Sequence, residues 1–216
     1  MMKKLAIGVV GAGRATSELT IPAFDYVSNG YLAALCDTDL NAAQILAEDH
    51  KIPAYPSLAE MMDHQDIQIV IINTPVPTHA ELAIQAMRGG CHVIIEKPAV
   101  AHLEELEKLR QVRDEAGVKL TVVHNYKFYK GPQQAFQMYQ DGTLGEIIHV
   151  DRIWMTPPQE DRMERNPEGW WHSITGGRLA DALPHFLYVP YMFVGDIHLI
   201  LYHMISLSLR MKLYQL

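Results

Sequence analysis

The sequence predicts an α/β fold, in which a doubly wound parallel sheet is followed by an incomplete α+β domain. Three observations support this prediction. Short apolar runs of strand length alternate with helix-compatible segments over residues 1–123. A glycine turn directly follows the first run, and an acidic residue directly follows the second. Strands that helices cover on both faces have this continuous apolar character, and their alternation with helices favours right-handed crossovers within one sheet.

Composition limits the class of protein and its partners. The chain has 216 residues, of which 49% are hydrophobic, enough for a substantial core. Its net charge of -7, without any cluster of basic and aromatic residues, argues against nucleic acid as a partner. Cys36 and Cys91 lie in or beside apolar runs without metal-ligand spacing, and the histidines are scattered. We therefore expect a reduced, cytoplasmic protein without a metal site.

The first predicted strand covers residues 5–10 and leads into the run Gly11-Ala12-Gly13-Arg14-Ala15-Thr16. The basic N-terminus passes through this strand without a signal cleavage pattern. Strand, glycine turn and helix are the context of a dinucleotide fingerprint, in which Gly11 permits the turn and Gly13 lets backbone N–H groups approach a pyrophosphate. Arg14 and Ala15 continue this candidate phosphate site. Thr16 replaces the third glycine of the fingerprint. Two glycines one residue apart, without the third, also occur in ordinary turns.

The second predicted strand, residues 31–36, ends in Asp37. An acid about 20 residues beyond the glycine turn is placed to bind the adenosine ribose hydroxyls. Thr38 and Asp39 follow it without an adjacent arginine, so a 2'-phosphate would be repelled and NAD is favoured over NADP. The alternative is a helix cap, since Asp39 can cap a helix over residues 40–50.

The alternation continues to residue 123. Glycine follows the predicted helices at residues 79–87 and 103–116, as it commonly follows helix C-termini. Further strands are predicted at residues 67–72, 91–95 and 120–123, and further helices at 57–64 with Ser57 as cap, at 79–87 and at 103–116.

Two loops at the expected carboxyl ends of strands hold candidate site residues. The run Asn73-Thr74-Pro75 leads through a second proline to His79, and its prolines would hold it rigid over a cofactor. The alternative is a plain proline-rich turn with His79 in the first helical turn. The fourth long strand stops in Glu96-Lys97-Pro98, which predicts either a reactive lysine opening onto a cleft or a strand-end salt bridge.

After residue 123 the pattern changes, and we predict a domain boundary there. Tyr126 and Lys127 lie in a polar and aromatic run that lines a cleft or merely connects two elements. A helix is predicted at residues 131–140, a strand at 145–155 and a polar loop at 156–177. After a double glycine, Asp181 and His185 are spaced to share one helix face, where an acid and a histidine could deprotonate a hydroxyl. The alternative is a local contact within the helix.

In their order along the chain, these features resemble the glucose-fructose oxidoreductase and myo-inositol dehydrogenase family, called Gfo/Idh/MocA. The resemblance is carried by Gly11-Ala12-Gly13, Asp37, Thr74-Pro75 with His79, Glu96-Lys97-Pro98, and Asp181-x-x-x-His185 after a double glycine. It implies a Rossmann-type cofactor domain and an NAD(P)-dependent oxidoreductase. The implied substrate is a sugar, a polyol or a related secondary alcohol or carbonyl.

The resemblance also implies roles for individual residues. Lys97 would hydrogen-bond the reacting oxygen and the nicotinamide ribose, with Glu96 orienting the cofactor and a cis peptide bond before Pro98. His185 would be the general acid and base, and Asp181 would hold a substrate hydroxyl or the catalytic pair. These roles suit hydride transfer, in which the protein must place the carbon and move the hydroxyl proton. Candidate substrate-binding residues are Tyr126, Lys127, Trp171 and His172. Trp170, Trp171 and His172 are surfaces on which a sugar could stack; the alternative is that they anchor the loop.

The same resemblance divides the chain into a cofactor domain at residues 1–123, the start of a catalytic domain at 124–196 and an apolar tail at 197–216. Family members continue into a large open sheet, of which this chain supplies only the first predicted strand. We expect that a frameshift or premature stop produced the tail; the alternative is a genuine short variant whose tail packs on the exposed face. Between Asp196 and Arg210 only 13 residues are uncharged, so no membrane span is expected.

Two functions follow from these patterns. The first is an NAD-dependent sugar or polyol dehydrogenase, and its rival is a dinucleotide-binding protein or inactive fragment without turnover. Lys97, Asp181 and His185 together favour the first, while the missing sheet favours the second. A homo-oligomer remains open, because family members commonly assemble through the sheet that this chain lacks.

Overall fold

A computed structural model describes residues 4–151, 172, 174 and 176–195. Its centre is a sheet of six parallel strands in the order β3-β2-β1-β4-β5-β6. The strands are β1 (Leu5–Val10), β2 (Gly30–Cys36), β3 (Ala54–Tyr55), β4 (Ile69–Ile72), β5 (His92–Ile95) and β6 (Leu120–Val122). The chain leaves β1 in one direction to build β2 and β3 and returns to build β4 to β6, which is the doubly wound, Rossmann-like order.

Helices connect the strands and cover the sheet. The first helical segment, α1, begins with a π-helical turn at Thr16–Thr20, continues as α-helix at Ile21–Ala23 and ends in a 3-10 turn at Phe24–Tyr26. The others are α2 (Leu40–Glu48), α3 (Leu58–His64), α4 (His79–Arg88), α5 (Leu103–Ala116), α6 (Lys130–Gln140) and α7 (Gly177–Val194). Further 3-10 turns lie at Val76–Thr78 and Asn125–Phe128.

The core has two parts, because successive strand residues point to opposite faces of the sheet. On one face Val9 and Leu35 pack with Ile21 of α1 and Ala47 of α2. On the other face a larger apolar cluster joins strands β1, β2, β4 and β5 to helices α3, α4 and α5. Both faces are therefore covered, which explains why the strands are apolar at nearly every position.

Local signals set the helix boundaries. The Asp39 carboxylate accepts a hydrogen bond from the Ala42 amide at 3.1 Å and caps α2. The Ser57 hydroxyl accepts one from the Glu60 amide at 3.2 Å and caps α3. Gly117 ends α5 in the left-handed region, with φ of 65°, where a glycine carries no steric penalty. The predicted elements before residue 123 are thus confirmed within a few residues, although the two-residue strand β3 was missed.

Beyond β6 the described residues form helices. Helix α7 packs against α6, where the ring of Phe193 meets Phe136 edge-on with centroids 5.8 Å apart. The predicted strand at 145–155 is wrong for residues 145–151, which are irregular, and its remainder lies outside the described residues. A strand needs a hydrogen-bonding neighbour, whereas Ile148 is 93% exposed.

None of the described helices combines the length and apolar character that crossing a membrane requires.

Candidate active site

Most of the predicted site residues lie along one edge of the sheet, where the parallel strands end. The glycine turn follows β1, Asp37 follows β2, Asn73 follows β4, and Glu96 and Lys97 follow β5. In a doubly wound sheet, ligands bind in the crevice at this edge, at the point where the strand order reverses. Here that point lies between β1 and β4.

The two glycines of the turn meet different surroundings. Gly11 has φ of 98°, and a Cβ built on it would lie 2.8 Å from the Asn73 carbonyl oxygen, so only glycine fits. Around Gly13, no atom of the described residues other than its chain neighbours lies within 4 Å of such a Cβ. The space in front of Gly13 is therefore open, as the approach of a pyrophosphate to the backbone requires.

Asp37 is tied to the glycine turn. Its Oδ2 accepts a hydrogen bond from the Ala12 amide at 2.6 Å, and its Oδ1 accepts one from the Asp39 amide at 2.8 Å. These bonds hold the carboxylate at the edge of the crevice and keep it beside the turn. Oδ1 also accepts from the Thr38 hydroxyl at 3.4 Å. Oδ2 has a further lone pair with which to accept a ribose hydroxyl.

Thr16, which replaces the third glycine of the fingerprint, has a structural role that the sequence did not reveal. Its fully buried hydroxyl donates to the Gly11 carbonyl and accepts from Asn73 Nδ2 at 2.9 Å. Asn73 Nδ2 also contacts the Thr20 hydroxyl at 2.8 Å. Asn73 thereby links the end of β4 to α1, and its buried Oδ1 has no hydrogen-bond partner among the described residues.

His79 connects two loops of the crevice. Its imidazole Nε2 lies 2.7 Å from the Thr74 carbonyl oxygen, and its Nδ1 lies 2.9 Å from the Pro98 carbonyl oxygen. The residue has no exposed surface. Its predicted contact with the cofactor stays a prediction, since the described geometry is that of a buried bridge behind Thr74 and Pro75.

The charge state of His79 reflects two opposing effects. Burial lowers the pKa of the imidazole, while the backbone carbonyls around it and the Glu105 carboxylate oppose that shift. Desolvation is the larger effect, so the neutral ring is favoured. A neutral ring has one N–H and can donate to only one of the two carbonyls at a time.

Lys97 reaches from the end of β5 to helix α7. Its Nζ lies 2.5 Å from Asp181 Oδ1 and 3.2 Å from the Asp181 carbonyl oxygen. Both side chains are mostly buried, at 17% and 22% exposure, so water screens the pair less than it screens a surface ion pair. The peptide bond between Lys97 and Pro98 is cis, as the resemblance implied.

Glu96 turns back toward the same pair. Its Oε2 accepts a hydrogen bond from the Lys97 amide at 3.0 Å. Burial raises the pKa of the Glu96 carboxyl, an effect that the Lys97 amide and ammonium oppose and that the Asp181 carboxylate reinforces. Two carboxyl groups and one ammonium group thus meet where β5 ends.

Helix α7 carries Asp181 and His185 on one face, as predicted, and adds a residue that was missed. Tyr188, one further turn along, places its hydroxyl 2.7 Å from His185 Nδ1. The Tyr126 ring stacks on the His185 ring with centroids 4.6 Å apart. The spacing of Asp181, His185 and Tyr188, four and then three residues, is the signal that could have found Tyr188.

The remaining predicted site residues lie further from this centre or outside the described residues. Arg14 is exposed and pairs with Glu18 at 2.7 Å. Lys127 lies in the 3-10 turn after β6, and its charge contributes to lowering the pKa of His124, though burial is the larger cause. His172 is exposed, and Trp170 and Trp171 lie outside the described residues. Among those that are described, no group of three or more histidine, cysteine or acidic side chains could hold a metal ion.

Comparison with known proteins finds a family model and relatives that match the region of the sheet. Residues 5–124 match the family model GFO_IDH_MocA, described as an oxidoreductase family with an NAD-binding Rossmann fold. An uncharacterized oxidoreductase from Synechocystis is 26% identical over 196 residues, which are 88% of this chain and 51% of the relative. An alpha-N-acetylgalactosaminidase from Shewanella oneidensis is 26% identical over 194 residues, covering 82% of this chain and 42% of the relative.

A solved structure shares the fold. The WlbA dehydrogenase from Bordetella pertussis, crystallised with NADH and UDP-GlcNAcA, has a TM-score of 0.62 and 27% sequence identity. The match covers 67% of this chain and 44% of that one. The chain spans about half the length of the curated relatives it matches, or less.

Proposed function

The chain belongs to the Gfo/Idh/MocA oxidoreductase family with an NAD-binding Rossmann fold, and we propose that it transfers hydride between a nicotinamide cofactor and a sugar, polyol or related secondary alcohol or carbonyl. One observation carries the proposal. The Lys97 ammonium, at the edge of the sheet that holds the glycine turn, pairs with Asp181 on the helix that presents His185. Hydride transfer to or from an alcohol carbon needs such a cation and proton acceptor beside the cofactor.

The glycine turn and Asp37 would hold the cofactor. The open space in front of Gly13 suits a pyrophosphate. The Thr16 and Ser17 amides donate to the Gly13 carbonyl, so backbone N–H groups nearer the turn would bind the phosphate. Asp37 would accept the adenosine ribose hydroxyls. No arginine accompanies it at positions 38 and 39, which supports NAD over NADP.

Asn73, Thr74, Pro75 and Glu96 would line the nicotinamide side of the crevice, because their loops follow the neighbouring strands β4 and β5. His79 supports the Thr74 loop from behind. The bound cofactor would supply the hydride acceptor or donor. Every other part of the reaction would depend on side chains of β5, α7 and the turn after β6.

Lys97 would stabilise the negative charge that develops on the substrate oxygen during oxidation. His185 would take the hydroxyl proton, because an imidazole titrates near neutral pH. Asp181 would orient the Lys97 ammonium, to which it is already bonded. Tyr126 and Lys127, in the turn beside His185, would contact the substrate together with Trp171 and His172.

Cofactor choice is tested by titrating the full chain with NADH and NADPH and following the fluorescence of the reduced nicotinamide. Asp37→Asn keeps an oxygen that accepts the Ala12 amide but removes the charge, so NADH should bind more weakly and NADPH more tightly. Asp39→Asn makes the same charge change two residues away and keeps a cap for α2. It should leave both affinities unchanged. If neither dinucleotide binds the parent chain, the proposed function is wrong.

Turnover is tested with a panel of sugars, polyols and their nucleotide-linked forms, read as NADH formation. Binding without turnover on any member would favour the second candidate, a dinucleotide-binding protein without catalysis. Aryl N-acetylgalactosaminides belong in the panel because one relative is a glycosidase. Release of the aryl alcohol without net NADH would indicate hydrolysis.

We also propose that the cofactor domain ends at residue 123. The same proposal includes a cytoplasmic location and self-association of the chain. The two cysteines, Cys36 and Cys91, are buried and free, which suits a reducing compartment. Light scattering of the purified chain at two concentrations would give its oligomeric state.

A further inference from the structure

A phenol hydroxyl lies between the candidate base and the loop that follows β6. Tyr188 Oη is 2.7 Å from His185 Nδ1, on the same helix. Tyr188 itself is 6% exposed. A buried hydroxyl on one ring nitrogen of a histidine influences which of the two nitrogens carries the proton.

Counting hydrogen bonds assigns that proton. Tyr188 Oη donates to the Asn125 side-chain oxygen at 3.1 Å and accepts from the Tyr126 amide at 3.2 Å. A phenol has one proton and can accept two hydrogen bonds. Because its proton is directed to Asn125, Tyr188 meets His185 as an acceptor. With the Tyr188 proton on Asn125, a neutral His185 ring would carry its proton on Nδ1 and leave Nε2 unprotonated.

Stacking holds the two rings in these orientations. The Tyr126 ring lies against His185, with centroids 4.6 Å apart and planes at 27°. The His124 ring lies against Tyr188, with centroids 4.4 Å apart and planes at 24°. Rotation of either ring would break its stacking contact as well as a hydrogen bond, so the network opposes exchange between the two tautomers.

We propose that Tyr188, held by Asn125, is a positioning residue that keeps the proton of His185 on Nδ1 and thereby makes Nε2 the proton acceptor of the reaction. The inference rests on the proposed function. During oxidation the substrate O–H proton would move to His185 Nε2 as the carbonyl forms, and the bound nicotinamide would supply the hydride acceptor. The imidazolium keeps its Nδ1 proton toward Tyr188 throughout. Reduction reverses each transfer.

The test measures the tautomer directly and needs no substrate. Histidine labelled with nitrogen isotope is incorporated into the full chain, and long-range proton–nitrogen correlation spectra are recorded at a pH where the rings are neutral. His185→Gln assigns the His185 signal by its disappearance. We expect the parent chain to show the proton on Nδ1. A proton on Nε2 in the parent chain would overturn the proposal.

Two variants separate positioning from packing. Tyr188→Phe keeps the ring but loses the hydroxyl, so the proton should shift toward Nε2, the nitrogen that free histidine favours. Asn125→Asp offers oxygens that only accept, so Tyr188 must still donate to it and the Nδ1 proton should remain. Tyr26→Phe removes a hydroxyl from a residue that is 91% exposed and should change nothing. An unchanged tautomer in Tyr188→Phe would also overturn the proposal.

Kinetics then separate this inference from the function on which it rests. In Tyr188→Phe, kcat should fall about 100-fold while the NADH affinity stays within about twofold, because only general-base catalysis is lost. An unchanged kcat would overturn the positioning role even if the tautomer shifts. If the Nδ1 proton is present and the parent chain oxidises no member of the panel, the proposed function fails while the tautomer assignment stands.

Discussion

Two histidines lie near the edge of the sheet, and their surroundings differ. His79 is fully buried, and both of its ring nitrogens lie against backbone carbonyls of separate loops. His185 is half-buried, and its Nδ1 lies against a side-chain hydroxyl on its own helix. The first position joins two segments of the backbone, and the second holds the ring for which we propose proton transfer.

The difference extends to the regions around them. The side of the crevice formed by β1, β2 and β4 is held by hydrogen bonds between side chains and backbone, with both core clusters beneath it. The side formed by α7 is held by the Lys97–Asp181 pair, by Tyr188 and by stacked rings. Buried polar bonds are costly to break, so we expect changes on the first side to alter stability and changes on the second to alter turnover.

The largest expected effect is on turnover, at the residue that links the two sides. Lys97→Met should lower kcat roughly 1000-fold, because it removes the cation that we propose stabilises the substrate oxygen. Steady-state assays on the best alcohol of the panel would measure it. Lys108→Met, on the exposed face of α5, is the matched control and should retain full activity. Equal activities would mean that Lys97 and Asp181 form only a structural bridge.

The next largest effect is on the free energy of unfolding, which should distinguish His79 from His185. His79→Ala should lower the free energy of unfolding by about 3 kcal/mol, because it leaves a cavity and two buried carbonyls without a donor. His185→Ala should cost about 1 kcal/mol or less, since that ring is half-buried. Urea titration would measure both, with exposed His50→Ala as the control. Similar losses at His79 and His185 would contradict the proposed difference between the two regions.

A smaller effect distinguishes the glycines of the turn. Gly11→Ala should destabilise the fold by about 2 kcal/mol, because φ of 98° and the nearby Asn73 carbonyl both oppose a side chain. Gly13→Ala should change stability by no more than about 0.5 kcal/mol, since the space is open. The same Gly13 variant should weaken NADH binding about tenfold by filling that space. Undiminished NADH binding in Gly13→Ala would place the pyrophosphate elsewhere.

The smallest effect is the pH dependence that His79 contributes. Its pKa is lowered in the folded chain, so the unfolded chain binds more protons below the ordinary value of 6.5. Stability should therefore fall as the pH drops below about 6.5. His79→Gln should show a shallower fall in urea titrations at about pH 7.5 and 5.5, whereas His124, whose pKa is also lowered, contributes equally to both proteins. Parallel pH profiles would exclude His79 as a source of the slope.

Buried Glu96 contributes a pH dependence of stability that is opposite in sign to that of His79. Its pKa is raised in the folded chain, so the folded chain binds more protons than the unfolded chain around and above its ordinary value of 4.5. Its contribution to stability therefore increases as the pH falls toward that value, opposite to that of His79. Glu96 is present in both the parent chain and His79→Gln, so its contribution cancels when their pH profiles are compared.

Prediction from the sequence succeeded where the signals are local. The apolar runs and the caps Asp39 and Ser57 determine strand and helix positions within a few residues, because each depends on neighbours along the chain. The strand β3 was missed because two residues carry no periodicity. The strand predicted from residue 145 failed over residues 145–151 because an apolar pattern alone does not supply a neighbouring strand.

The sequence by itself determined the fold class, the glycine turn and the positions of Asp37 and Lys97 at strand ends. Tertiary structure alone decided which side chains meet. It paired Lys97 with Asp181, 84 residues away, and Tyr188 with Asn125, 63 residues away. It also placed the hydroxyl of Thr16, which departs from the fingerprint, between the Gly11 carbonyl and Asn73 Nδ2. These two hydrogen bonds join the end of β1 to the end of β4. Contacts of this kind depend on how helices dock on the sheet, and no local pattern specifies that geometry.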